Sequence, residues 1–436
     1  MFTFSWQFLR ASVTGVPGPL KATNASKISV NDRRSFAVDS PTEPLLRQFT
    51  DHGIGYYAAV LVEKESCMRS LFLKTALILT VVMSWSGAPA AELTEAATTQ
   101  NPRFQSIGPL AFSPDGVLFA GDTQAGAIVA LDLGKAATGG VPGAKAIPAF
   151  DQKVAALLGT DVREITVTDL AVHPRTRNAF ASVMRGQGTN AQAALLRVDG
   201  AGKIDVVRLE EVNFTRVDLP NAPAANPGDQ RNARTSSITD MAFVDGRLYV
   251  AGLSNEEFSS KLRTVNYPFK SSAAEPGTSV EIYHGNHGQF ETRSPVYTFV
   301  PYKVKGETNL IAGYLCTPLV KFPVNSLKSG AKVMGTTIAE LGNRNRPLDM
   351  IVYQKNGKEF LLMSNNSRGV MKIPTEGFAD AASITTRVAS PTGGVAYESI
   401  ASMKGVEQLD LLDAANTIVL ARTDAGVLNL DVVALP

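Results

Sequence analysis

One unit recurs six times along this chain, and that recurrence restricts its fold more than any other feature. The unit is an apolar strand, a polar turn, a second strand ending in small residues, a connection and a third strand. Two copies nearly coincide, Ile107-Gly108-Pro109-Leu110-Ala111-Phe112 and Ile238-Thr239-Asp240-Met241-Ala242-Phe243. With Pro109, Asp169, Asp240, Pro301, Asp349 and Asp410 as markers, the spacings are 60, 71, 61, 48 and 61 residues, which suits a four-stranded antiparallel sheet and its turns. A lone sheet of that size cannot bury both faces, whereas radial stacking buries every inner face and leaves only short edges. The expectation is an all-β chain folded as a β-propeller of six blades, with seven as the alternative if the 48- or 71-residue interval is misread. The last copy stops after its third strand at Pro436, so the N-terminal strand of the mature chain is expected to complete it and close the ring.

The segment Phe112-Ser113-Pro114-Asp115-Gly116-Val117-Leu118-Phe119 resembles the strand, Ser-Pro-Asp-Gly turn, strand signature of the YVTN, NHL and WD-repeat-like bacterial propellers. The resemblance covers one blade in letters and the others in pattern, so it implies the fold. The terminal Trp-Asp dipeptide of true WD repeats is absent. Quinoprotein propellers lock their blades with docking tryptophans, and residues 91–436 contain none.

A secretory layout begins at Met68: basic Arg69 and Lys74, an apolar stretch over residues 76–85, and the small tripeptide Ala88-Pro89-Ala90. The apolar stretch is shorter than the ~20 residues needed to span a bilayer. Residues 68–90 are therefore expected to be a signal peptide, residues 1–67 an upstream extension, mis-assigned or disordered, and residues 91–436 a single exported domain, periplasmic or secreted; the alternative is a genuine Met1 with the apolar stretch as a signal anchor. That domain keeps one cysteine, Cys316, and three histidines, His173, His284 and His287, so it has no internal disulfide and no Cys-rich zinc pattern. With 42 basic and 40 acidic residues in the whole chain, nucleic acid is disfavoured as a partner. A monomer free of the membrane after cleavage is expected.

The lead-in to each innermost strand and the connection from second to third strand share one face of a propeller. Segments 183–192, 213–235 and 253–278 read as long loops on that face, and loops of this size are usually functional or disordered. Asp169, Asp240, Asp349 and Asp410 start the innermost strands and should gather around the central channel. Carboxylates at roughly 8 Å repel by ~2 kcal/mol at an effective dielectric near 20, so they need compensation. A bound cation, protonation or neighbouring arginines can supply it, and three readings of the ring and its rim are open. Each Asp accepts backbone N–H bonds and pairs with a rim arginine, or the ring holds a cation such as Ca²⁺ with Asn365 or Asn255 adding oxygen, or Arg185, Arg344, Arg346 and Arg368 hold an anionic ligand. His284 and His287, three residues apart in a turn, form a further chelating pair.

Two functions follow. One is a non-enzymatic binding propeller that uses the lead-in face for a protein or small ligand. The other is a metal-dependent hydrolase of the gluconolactonase type, with a divalent cation over the channel, which rests on fold analogy.

Overall fold

The computed structural model describes residues 98–225, 233–316 and 318–436, so the expected upstream extension 1–67 and signal peptide 68–90 lie outside the described residues. Six antiparallel sheets surround a central channel. Blade one comprises Leu110–Phe112, Val117–Asp122 and Ala127–Asp132. Blade two comprises Ile165–Val172, Ala179–Arg185, Gln192–Val198 and Ile204–Val206. Blade three is Asp240–Val244, Arg247–Leu253, Ser260–Asn266 and Thr278–His284, extended by Gln289–Glu291. Blade four is Val296–Val304, Glu307–Tyr314, Pro318–Pro323 and Thr336–Leu341. Blade five is Pro347–Lys355, Lys358–Asn365, Gly369–Pro374 and Glu398–Ile400, and blade six is Val406–Leu411, Asn416–Arg422 and Leu428–Ala434.

The six-blade expectation holds, and local chemistry explains why the strands turn where they do. In the Ser-Pro-Asp-Gly turn, Ser113 Oγ accepts the Val117 N–H at 3.0 Å and the Ser113 carbonyl accepts the Gly116 N–H at 2.9 Å. Gly116 has φ +94°, and a Cβ there would meet His173 Nε2 at 2.6 Å, so glycine is required twice over.

Six apolar cores, one in each gap between blades, reveal the order around the ring. Leu118 and Val129 of blade one pack against Phe180 and Leu195 of blade two. On its other side blade one packs Phe119 and Ile128 against Val250 and Val265 of blade three. The remaining cores join blades three and four, four and five, five and six, and finally six and two. The ring therefore runs two, one, three, four, five, six. After blade two the chain returns past blade one and gives it an outer strand, Asn213–Asp218, paired with Ala127–Asp132.

That order changes the closure. Thr98–Thr99 pairs with Asn213 and Phe214 on blade one, and does not complete blade six. Blade six is instead edged by the segment leading into its ring neighbour, blade two. Ile147 bridges Leu430, with the Ile147 N–H donated at 2.7 Å and the Leu430 N–H returned at 3.1 Å. Phe150 and Val154 of the helix Phe150–Leu158 then enter the core between blades six and two. Burying side chains of this size contributes about 1.5–3 kcal/mol each, and the N-terminal residues, one blade further round, are in no position to do so.

The three long loops are also corrected. Segment 253–278 contains the third strand of blade three, Ser260–Asn266, hydrogen-bonded along its length to Arg247–Leu253. Its apolar pattern is masked by two buried cations, Lys261 at 3% exposure and Arg263 at 1%. Lys261 pairs with Glu256 and donates to Ser279 Oγ, while Arg263 donates to the Leu253 carbonyl. Segment 213–235 begins with the outer strand of blade one, and 183–192 is mostly hairpin, with Val183, Met184 and Arg185 opposite Ala194, Ala193 and Gln192.

Candidate functional site

Each innermost strand enters from the lead-in face, and polar residues along these strands form a girdle across the channel. Asp169 Oδ2 of blade two accepts the Leu110 N–H of blade one at 2.6 Å, and its Oδ1 accepts the Leu170 N–H at 2.8 Å. Asp240 makes the same pair of bonds to Phe299 of blade four and to Met241, both at 2.7 Å. Asp349 accepts from Leu409 of blade six at 2.8 Å and from Met350 at 2.7 Å. Asp410 bonds Val172 of blade two at 2.7 Å and Leu411 at 2.7 Å. Every carboxylate thus ties its own strand to the next blade, always in the same rotational sense.

Asp410 lies two residues deeper than its counterparts. Its bond goes to Val172, whereas Leu409, before it, is the residue that answers Asp349. The place level with Asp169 and Asp349 belongs to Gln408. Its amide, oriented with the nitrogen toward the carboxylates, donates to Asp169 Oδ1 at 3.0 Å and Asp349 Oδ2 at 2.9 Å. Sequence reading passed over Gln408 because Asp410 offered the matching letter in Gln408-Leu409-Asp410-Leu411.

The girdle lines a channel cavity of about 430 Å³. The carboxyls line the channel and are half-buried among the inner strands. Burial pushes Asp240 up to about 7 and Asp410 up to about 6, against the pull of their backbone N–H bonds. Asp169 and Asp349 are driven well above the usual carboxylate range, first by burial and then by the facing carboxylates. The Gln408 amide, between Asp169 and Asp349, supplies part of the compensation the sequence called for.

The rim residues are engaged elsewhere. Arg185 donates to the Gly159 carbonyl at 3.3 Å, and Arg368 to the Asn343 carbonyl at 3.3 Å. Asn365 holds its own turn, accepting from Ser367 and Arg368 N–H, both at 3.1 Å, and donating to Asn345 Oδ1 at 2.9 Å. Asn255 is exposed, its N–H on the Asn221 carbonyl at 2.8 Å, and Arg344 is exposed in a left-handed turn at φ 56°. Cys316 is half-buried in another such turn, φ 59°, its N–H on the Asn345 carbonyl.

Above the girdle, on the lead-in face, a bowl of about 1010 Å³ opens. Of the arginines named from sequence, Arg346 alone lines it, its guanidinium over the Tyr297 ring at 5.5 Å. The rest of the wall is hydroxyl, amide and aliphatic, with Gln124, Thr168, Thr239, Gln408, Met184 and Ile238 prominent. Asp122 anchors one side: fully buried, it accepts the Gln105, Ser106 and Ala125 N–H groups at 2.8, 3.0 and 3.0 Å. These wall residues were missed because a bowl is assembled from single lead-in residues of several blades, with no contiguous motif.

His284 and His287 do come together, away from the channel. Their rings lie 3.7 Å apart, and both Nδ1 atoms face Glu291 Oε1, at 3.0 and 2.6 Å. Burial alone would raise the Glu291 carboxyl, but the hydrogen bonds and charge of the two imidazoles outweigh it and hold the group at about 2. His173 does not join them. It stands edge-on to Phe112, and burial pushes it down to about 4.

No family model matches the chain, and no curated protein matches it. Similar solved structures include the mitotic checkpoint complex, 10% identical with a TM-score of 0.32, over 82% of this chain and 99% of that one. Another is the PQQ-bound aldose sugar dehydrogenase of Streptomyces coelicolor, 12% identical with a TM-score of 0.27, over 80% and 100%. Likenesses this distant carry no argument about chemistry.

Proposed function

We propose that the protein is an exported, non-enzymatic binding propeller whose bowl takes a small polar ligand. The observation that supports this reading is the composition of the wall: among the described lining residues hydrogen-bonding groups are abundant, but none is Asp, Glu, His, Lys or Cys. Such a wall recognises hydroxyl, carbonyl and amide groups and offers little for general acid–base work at neutral pH. Arg346 supplies the one fixed charge, stacked on Tyr297, and suits a carboxylate or a π-face on the ligand. The girdle below serves as a floor, because both oxygens of each carboxyl are already committed to N–H groups.

Thermal-shift titration tests this with a defined panel: glucose, N-acetylglucosamine, lactate, proline and a neutral dipeptide. A saturable rise in melting temperature for at least one class, lost in Arg346→Ala and in Gln124→Trp, is the expected result. The absence of any saturable response overturns the reading. So does a Ca²⁺ response abolished by Asp240→Asn with Asp349→Asn, which belongs to the cation-dependent hydrolase.

A further inference from the structure

Blade three ends in a hairpin, Thr278–His284 paired with Gln289–Glu291, that leans on blade four. The Gly285 N–H donates to Glu340 Oε1 at 2.6 Å and Asn286 Nδ2 donates to Glu340 Oε2 at 2.8 Å, both on strand Thr336–Leu341. The Val388 N–H closes the same contact on the Gly285 carbonyl at 3.0 Å. Glu340 is 0% exposed and His284 1%, while the His287 side chain is 44% exposed. One polar atom here has no hydrogen-bond partner: His284 Nε2, which faces Glu340 Oε2 at 3.7 Å.

That orphan nitrogen is a matter of tautomer. A neutral His284 that donates from Nδ1 to Glu291 leaves Nε2 a bare lone pair pointing at a buried carboxylate. If a metal ion takes the place of the proton on Nδ1, the proton resides on Nε2 and can be donated to Glu340. This is the usual outer support of a metal-bound histidine, in which the second ring nitrogen donates to a carboxylate.

We infer that His284 Nδ1, His287 Nδ1 and Glu291 Oε1 bind a divalent transition metal of the Zn²⁺ class, with Glu340 orienting His284 from behind. One ligand atom from each of the three residues lies within 4.8 Å of the other two. Bond lengths of about 2.0–2.1 Å around a tetrahedral zinc place donors roughly 3.3 Å apart, so the 3.0 and 2.6 Å contacts need open by less than an ångström. Two imidazoles and one carboxylate suit Zn²⁺, Cu²⁺ or Ni²⁺, and select against Ca²⁺ and Mg²⁺, which require oxygen. The fourth position opens to solvent past His287. Because Glu340 belongs to blade four, the ion fastens the outer edges of two blades, at a distance from the channel and independently of any ligand in the bowl.

The test uses the full chain, stripped with chelator and titrated with Zn²⁺ alone. One equivalent should bind and raise the melting temperature, with no response to Ca²⁺ or Mg²⁺ at the same concentrations. His287→Ala, an exposed position, should unfold cooperatively as before and lose the Zn²⁺ response. Glu340→Gln, which keeps all three ligands, should weaken binding about 10- to 100-fold. Co²⁺ in the unaltered chain should show visible bands of mixed nitrogen and oxygen ligation, a readout that needs no variant. Absence of a Zn²⁺ equivalent, absence of those bands, or unchanged affinity in His287→Ala overturns the site.

Discussion

Two sets of carboxyl groups in this propeller meet opposite fates. In the girdle, Asp169, Asp240, Asp349 and Asp410 face one another and the dipoles of backbone N–H groups, and burial drives them toward their neutral form. At the outer edge, Glu291 faces two imidazoles and is held ionised, its pKa lowered to about 2 although half-buried as well. The residue type is nearly the same, so the difference lies in the neighbours. A carboxyl shut in the channel is pushed toward its neutral form by burial in spite of its backbone N–H bonds, whereas one that faces two imidazoles is held ionised.

The largest expected effect breaks the girdle. Asp169→Ala leaves the Leu110 and Leu170 N–H groups without acceptors inside the channel, and urea unfolding should show a loss of about 2–6 kcal/mol. Asp169→Asn should lose about half of that, because its one amide oxygen still accepts one of the two N–H groups while its NH2 faces the other. Equal losses in the two variants would mean that charge, and not hydrogen bonding, is what the girdle needs.

A smaller effect sharpens the contrast through pH. Asp240 and Asp410 have folded pKa values raised above the unfolded ones, so their stabilising contribution is complete below the ordinary carboxylate range. It is lost as pH rises through about 6 to 7. Between pH 5 and pH 8 stability should fall by about 1–2 kcal/mol on account of Asp240, discounted for its partial exposure to the channel. Asp240→Asn should reduce that slope to the part left by Asp410 when unfolding is followed across the range. An undiminished slope in the variant would move the titrating group away from Asp240.

The smallest effect lies at the bowl. Arg346 is exposed and rests on Tyr297 at 5.5 Å, so Arg346→Ala should change unfolding stability by no more than about 0.5–1 kcal/mol. A larger loss would make Arg346 part of the scaffold and remove it from ligand recognition.

What was legible in the amino-acid sequence follows from which forces are local. Alternation, small residues at strand ends and the Ser113-Pro114-Asp115-Gly116 turn act over a few positions, so six blades and the Asp residues that begin their inner strands could be read directly. The strand Ser260–Asn266 could not, because Lys261 and Arg263 break its apolar pattern and are tolerated only where Glu256, Ser279 and the Leu253 carbonyl meet them. Gln408 could not be ranked above Asp410, since a two-residue offset along a strand becomes visible only when Leu409 and Val172 choose their acceptors. The order two, one, three around the ring and the sealing of blade six by residues 147–154 depend on which apolar faces meet across gaps, and neighbouring blades can be more than 200 residues apart in the chain, as Val172 and Asp410 are. His284 and His287 were visible as a pair, but their meaning waited on Glu291 across the hairpin and on Glu340 from another blade. Sequence alone determined the repeating sheet and its turns, because those are settled by backbone sterics and local burial. Tertiary structure decided which polar groups share a low-dielectric space, and it is this sharing that sets their charge and their capacity to bind.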